Sequence, residues 1–391
     1  MRTYCVIGII LVLALAVRVY ASSRPWKFTD GDIVKLNIQT GRWGEDDTGK
    51  LGVVHKGLWL AVPKGSTIRL GQRLRVIGRV EVKVIDNRIW QKIQSYSDIV
   101  IFDDKKGLFD DLKFKLVKWL PGDTGPLAAG ILFGESRYLT AKGESAFRDS
   151  GLSHVVAASG YNVAVVAGTV MALLRRLIGR RWAIPFGIVC ITLYVIIAGA
   201  TAAVVRAGVM ASLTLVAMTL GRRTEAIWIL GITIWLMLFV RPEWTFDIGF
   251  QLSVAATIGL LVGGVREPVW WKSDLKTSII AQIVTLPIIL HYFGNISVWA
   301  PIVNVLVLWS VPWIMEIAGL AVLAGIVAGQ IGMAVSFLAW PLLTYMIFVV
   351  ETAADWPGNG FRVGFMSWWW VAGYYGVVAF LWWAITRRKR R

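Results

Sequence analysis

From Gly151 to the C-terminus the chain repeats one pattern: an apolar run, a short polar break, then another apolar run. Candidate spans are 153–174, 183–199, 202–220, 226–240, 246–264, 277–292, 298–328, 331–350 and 366–385. Inside a lipid bilayer each backbone N–H and C=O must be satisfied within the protein, so runs of this length read as transmembrane helices. The 298–328 run is interrupted by Pro312, Glu316 and Gly319 and is taken as one net crossing with an irregular middle. Composition agrees. Of the 391 residues, 56% are hydrophobic and 17% charged, which excludes a soluble globular domain and a disordered chain.

Loop charge orders these spans. Arg175, Arg176, Arg180 and Arg181 mark one cytoplasmic loop, Arg222 and Arg223 the next, and Arg266, Lys272 and Lys276 a third. The basic tail 387–391 marks a cytoplasmic end, whereas Glu351 and Asp355 fall outside. The run Tyr4–Ala21 is read as an N-terminal anchor (residues 1–27), with a cleaved signal peptide as the alternative. The expectation is therefore a mainly α polytopic membrane protein of about ten transmembrane helices, both ends in the cytoplasm.

Residues 28–104 have a different period. Across Gln72–Val84, Leu74, Val76, Val80, Val82 and Val84 alternate with Arg73, Arg75, Arg79, Glu81 and Lys83. A period of two gives a strand with one buried face. With Asp32–Ile38, Gly52–Val62 and Arg88–Gln94, about five short strands suit a small extracytoplasmic β-barrel of the OB type. Its basic positions Arg73, Arg75, Arg79 and Lys83, with Trp43, Trp59 and Trp90 for base stacking, are candidates for holding single-stranded nucleic acid; a solvated strand edge is the plainer reading. Residues 105–150 form a third segment. Leu108, Leu112, Leu116 and Trp119 share one side of a helix expected to lie on the membrane, and Gly125–Gly134 is a half-helix that dips in and returns.

Polar groups within the spans are costly and mark interhelical bonds or a conduction path. They are His154, Ser159 and Asn162, then Arg206, then Asp247, Gln251 and Ser253, then Gln282 and Asn304. Arg206 and Asp247 are expected to pair; an unpaired Arg206 would instead meet phosphates. Several enzyme signatures fail. Gly44–Lys50 (GEDDTGK) has three acids where phosphate would sit, and Leu51 replaces the magnesium-binding hydroxyl. Asp149, His154 and Ser159 do not share a helical face as a triad would. Cys5, Cys190 and the three histidines form no metal motif. No enzymatic activity, cofactor or metal is expected.

The stretch GILFGESRYLTAKGESAFRDSGLSHVVAASGYN resembles the ComEC family of DNA-uptake channels, at Gly134, Glu135, Phe147, Gly151, His154, Ala158, Ser159, Gly160 and Asn162. Arg206-Ala207 followed by Met210, the segment PEWTFDIGFQLSVAATIGL, and Gln282, Pro287, Phe293, Gly294, Ser297, Pro301, Asn304 and Pro312 continue the likeness in family order. The resemblance implies an inner-membrane channel that imports single-stranded DNA during natural transformation. Its implied partners are an ATP-driven cytoplasmic motor, a DNA receptor on the outer side and a separate nuclease. Two positions depart from the pattern. Asn162 stands where the family often has His, and the HxHxDH motif of a metallo-β-lactamase-like domain is absent from these residues, so the likeness is to a short form. Import of another polyanion and a membrane scaffold remain the alternatives.

Overall fold

The computed structural model describes residues 11–20, 33–39, 42–45, 51–55, 58–61, 73–85, 88–101, 108–134, 138–221, 225–264, 269–357, 359, 361–362, 364 and 367–388. The chain divides into two compact units, Met1–Leu108 and Phe109–Arg391.

The first unit holds helix α1 (Leu11–Tyr20) and strands β1 (Ile33–Gln39), β2 (Arg42–Glu45), β3 (Leu51–His55), β4 (Leu58–Ala61), β5 (Arg73–Ile85) and β6 (Arg88–Ile101). The rest of the proposed anchor lies outside the described residues. The strand order is β1-β5-β6-β4-β3-β2, with β4 parallel to β6 and the other neighbours antiparallel. The alternating run becomes β5, which pairs on both sides and carries register shifts at Ile77/Gly78 and Arg79/Val80. The strand expected over Gly52–Val62 is instead the antiparallel pair β3–β4. β1 and β2 follow each other closely in sequence yet occupy opposite ends of the sheet.

The second unit is helical. Its elements are α2 (Leu108–Trp119), α3 (Thr124–Phe133), α4 (Ala141–Asp149), α5 (Ser153–Val156), α6 (Gly160–Ile197), α7 (Ala202–Thr219) and α8 (Ala226–Val240). After a 3-10 turn at Pro242–Phe246 come α9 (Ile248–Gly263), α10 (Trp270–Tyr292), α11 (Ala300–Leu308), α12 (Val311–Val327), α13 (Gly329–Ser336), α14 (Trp340–Ala354) and α15 (Trp368–Arg388). Two short strands, β7 (Asn295–Ile296) and β8 (Phe361–Arg362), pair antiparallel. Among the described residues, four continuous helical stretches are long and apolar enough to cross a membrane: α6, α7, α10 and the run Gly329–Ala354. The α11–α12 pair, bent by 46°, makes a fifth. That bend falls at Trp309–Ser310, just before Pro312, which starts α12 because a helix's first turn needs no proline N–H. Glu316 and Gly319 sit inside α12, and Glu316 accepts a hydrogen bond from Thr169 of α6 at 2.9 Å.

Alpha-6 is two helices in one. Gly179 has φ 74 and ψ 166, outside any helical region, and the chain folds back there. A Cβ on Gly187 would stand 2.4 Å from the Met171 sulfur, so the two halves pack face to face. The basic cluster at Arg175–Arg181 caps this hairpin.

The amphipathic helix α2 departs from expectation. Its apolar side is covered by protein: Leu112 and Leu116 are buried, with Leu120 just beyond the helix. Trp119 fills a slot in the α12–α13 corner, where a Cβ on Gly325 or Gly332 would come within 2.2 Å and 2.7 Å of its ring. The same spacing that suits a lipid surface suits a helical bundle, and here the bundle takes it.

Pro287 interrupts α10. Proline has no N–H, so the carbonyl one turn back, on Ile283, is without its helical donor. The Tyr374 hydroxyl donates to that carbonyl at 2.9 Å, and the Tyr375 hydroxyl donates to the Val284 carbonyl at 2.8 Å. Two adjacent tyrosines of α15 thus repair the break. Tyr374→Phe should lower stability in detergent by about 1–3 kcal/mol, the cost of an orphaned carbonyl. In a Pro287→Ala background the same change should cost clearly less, since the restored N–H serves Ile283. A thermal-unfolding double-mutant cycle measures the difference.

Candidate functional site

The short helix α3 is buried over its whole length and packs against α12, α14 and α5. It ends inside the bundle, so its last carbonyls need partners other than water. Three donors meet them. The Gly134 N–H, from a left-handed residue with φ 73, bonds the Gly130 carbonyl. Asn162 Nδ2 donates to the Ile131 carbonyl at 2.7 Å, and the Tyr194 hydroxyl donates to the Leu132 carbonyl at 3.2 Å. Gly134 must be glycine twice over: its φ is positive, and a Cβ there would lie 2.4 Å from the Ala158 Cβ.

Ala158 leads into Ser159, the N-cap of α6. Its hydroxyl accepts from the Asn162 N–H at 3.4 Å and donates to Asn162 Oδ1 at 3.0 Å. Asn162 therefore ties the start of α6 to the end of α3. It is 2% exposed, so its role is to hold this junction. The arrangement resembles the discontinuous helices by which membrane bundles place backbone termini in their interior.

Arg206 of α7 lies beside this junction. A Cβ on Gly160 would be 3.1 Å from its Nη2. Its Nε donates to Ser253 Oγ of α9 at 2.8 Å, and its Nη1 to the Met210 sulfur at 3.1 Å. The expected Arg206–Asp247 pair does not form. Asp247 is exposed and caps α9, accepting from the Phe250 N–H at 2.7 Å. A carboxylate immediately before an apolar run satisfies its own helix terminus, and that use takes precedence here. Arg206 is 8% exposed and forms no ion pair among the described residues.

The remaining intramembrane candidates are dispersed. Gln251 Nε2 donates to the Thr245 carbonyl at 2.9 Å, and Gln282 Nε2 to the Ser297 carbonyl at 2.8 Å. Gln251 Oε1 and Asn304 Oδ1, together with Thr233 Oγ1, are buried without a hydrogen-bond partner among the described residues. His154 is exposed on α5 and hydrogen-bonds the Gly151 backbone. The structure thus brings together Ser159, Asn162, Arg206 and Ser253; Gln282 and His154 meet through Ser297 and Gly151, since Gln282 bonds the Ser297 carbonyl, a Gly151 Cβ would lie 3.1 Å from the Ser297 Cβ, and His154 bonds the Gly151 backbone. Sequence reading missed Tyr194 as a carbonyl partner and Met210 as a guanidinium partner; a tyrosine within an apolar run was the available signal for the first.

The β-unit candidates are placed by strand. Arg73, Arg75, Arg79 and Lys83 lie along β5, Trp43 on β2, Trp59 on β4 and Trp90 on β6. Pairing sets Lys83 directly opposite Trp90, and Trp59 opposite Lys92. Trp43 is separated from this pair by the width of β3 and β4.

A family model described as Competence protein matches residues 131–388. Among known proteins, "ComE operon protein 3" of Bacillus subtilis is 27% identical over 248 residues, covering 60% of this chain and 31% of its own length. An "Uncharacterized protein" of Aquifex aeolicus is 31% identical over 208 residues, covering 52% of this chain and 48% of its own length. The chain thus spans half or less of each of these two relatives. No solved structure matches it.

The junction makes a prediction about position 162. Asn162→Asp removes the donor to the Ile131 carbonyl and should lower stability by about 1–3 kcal/mol. Asn162→His keeps a ring N–H and should retain most of it. Melting temperatures of the two variants in the same detergent decide the matter; equal losses would mean that the donor is immaterial.

Proposed function

The chain belongs to the competence protein family, and from that premise we propose that it is the channel of the cell inner membrane through which single-stranded DNA enters during natural transformation. The observation that carries this reading is the family match, which begins at Ile131 and takes in Leu132, Gly134, Ser159, Asn162, Tyr194, Arg206 and Ser253. In this reading the chain crosses the membrane ten times, with both ends in the cytoplasm and residues 28–150 outside.

Side-by-side pairings support that topology. Segments assigned to the outer side meet one another: Lys142 pairs with Glu351 at 2.9 Å, β7 pairs with β8, and the Trp299 indole N–H donates to the Pro357 carbonyl at 2.7 Å. The first unit is read as an OB-like barrel. Its support is the strand order, in which β1 and β2, close in sequence, flank opposite ends of the sheet as a bent strand would if it closed a barrel.

The mechanism follows from charge. The formal net charge of +17 attracts a polyanion and gains by releasing its counterions. DNA handed over by an outer receptor meets the basic strand β5, with Trp43, Trp59 and Trp90 for stacking. Within the membrane, polar groups of the helical unit replace water around the backbone. In this reading the chain transports and does no covalent chemistry, and the Ser159 hydroxyl serves the start of α6, donating to Asn162 Oδ1 and accepting from the Asn162 N–H. Motion comes from an ATP-driven cytoplasmic motor, and strand degradation from a separate nuclease.

Deleting this gene should reduce transformation by orders of magnitude, with the wild-type chain restoring it; undiminished transformation would leave the proposal without support. For topology, an impermeant thiol reagent applied to intact cells should modify a cysteine placed beside Glu351 and spare one beside Arg222. Replacing Arg73, Arg75 and Arg79 by Gln in the full chain should weaken DNA binding and lower the slope of log affinity against log salt by about 2, roughly 0.7 for each phosphate that is no longer neutralised.

A further inference from the structure

We propose that the path of the transported strand runs between the start of α6 and one face of α10, with Tyr161 and Asp274 as opposed walls and the Tyr161 ring as a surface on which bases stack. The inference rests on the channel reading and adds to it two residues that sequence reading did not single out.

Alpha-10 has three distinct faces. Ile280 and Val284 pack on α9, where a Cβ on Gly263 or Gly259 would lie 2.7 Å from them. Ile279 and Ile283 are 41% and 45% exposed and form the lipid-facing side. Asp274, Ser278 and Gln282, four residues apart, share the third face. Ser278 is buried, and Asp274 and Gln282 are half-buried. This face is turned about a third of a turn from Ile279 and Ile283. The carboxylate is therefore directed away from lipid, where it would be costly, and toward protein or water.

The start of α6 stands across from that face. Packing runs from α6 to α7, from α7 to α9 and from α9 to α10, so α6 and α10 are the two ends of one wall. Two links show that the wall curves until its ends meet. Asp274 lies near enough to Tyr161 for its charge to act on the phenol hydroxyl. Two turns further along α10, Gln282 donates to the Ser297 carbonyl at 2.8 Å. A Gly151 Cβ would lie 3.1 Å from the Ser297 Cβ, and the Gly151 backbone bonds His154 of α5. A wall that curves back on itself encloses the groups its two ends present to each other.

There is room between those ends. Gly160 packs on Arg206 and Ala207 of α7, and Asn162 bonds the Ile131 carbonyl of α3. Tyr161, between them, points in the remaining direction and is 45% exposed. On the same face of α6 follow Ala164, Gly168 and Ala172, all exposed, and then Arg175. A Cβ on Gly168 would meet nothing within 4 Å. Small side chains leave width for a strand, and the arginine stands at the cytoplasmic end, where it attracts a polyanion. The exposed ring of Tyr161 offers a π-face to any base, and the Asp274 charge keeps the opposite side hydrated.

The test uses the full chain with Cys5→Ser and Cys190→Ser as background. In detergent micelles, a charged methanethiosulfonate should modify the Tyr161→Cys chain at least about tenfold faster than the Ile279→Cys chain, because the charged reagent does not enter the apolar belt that covers Ile279. Equally slow modification of both would overturn the proposal. In cells, the Tyr161→Cys/Asp274→Cys chain is treated with a membrane-permeant bis-methanethiosulfonate. The bridge should abolish transformation, dithiothreitol should restore it, and either single-cysteine chain should lose less. Failure of the bridge to form by mass analysis, or a bridge that leaves transformation intact, overturns the proposal. Tyr161→Phe should transform like wild type and Tyr161→Ala about tenfold less at equal membrane amounts, the loss of one stacking contact. Equal transformation by these two variants removes the ring's role and overturns the proposal as stated. The channel reading fails separately: a deletion strain that transforms normally removes it, while the modification rates still decide whether the space between α6 and α10 holds water.

Discussion

A helix that stops inside a bundle must have its terminal carbonyls met by the bundle itself, and the end of α3 shows how this protein does so. Donors from Gly134, Asn162 and Tyr194 reach three successive carbonyls, those of Gly130, Ile131 and Leu132. Two of those donors belong to α6, one near its start and one near its end. The folding-back of α6 at Gly179 is what returns Tyr194 to the level of α3. Backbone satisfaction at one point thus dictates the hairpin, the cap at Ser159 and the glycine at 134.

Arg206 depends on the same junction. With α3 and α6 meeting end to start, α7 sets the guanidinium against the first turn of α6. The pairing with Asp247 that charge alone would suggest is replaced by a division of labour. Asp247 serves the terminus of α9, and Ser253, six residues further on, steers Arg206. Charges that look complementary along a sequence are spent locally when a helix terminus lies within reach of one of them.

Much of the helical unit was legible in the residues. Apolar runs at 202–220, 226–240 and 246–264 correspond to α7, α8 and α9 within a few residues, because hydrophobic length is a local property. Alternation over Gln72–Val84 likewise became β5. Tertiary facts were less accessible. The apolar side of α2 reads the same whether lipid or protein covers it, and only the glycine slot at Gly325 and Gly332 decides. Asp247 carried a readable signal, an acidic residue immediately ahead of an apolar run, which is how an N-cap looks. The partners of the Ile131 and Leu132 carbonyls were not legible, since a backbone acceptor leaves no mark on the sequence and its donors lie 31 and 62 residues away.

The repair of α10 by Tyr374 and Tyr375 has a consequence in time. The carbonyls released around Pro287 are served by residues 91 positions later in the chain. At ribosomal speeds of about 5–20 residues per second, α10 is made on the order of ten seconds before its tyrosine partners exist. During that interval its kinked middle is best kept where water or another polar surface can reach it. The polar middle of α10 is therefore satisfied within the protein only once α15 has been made.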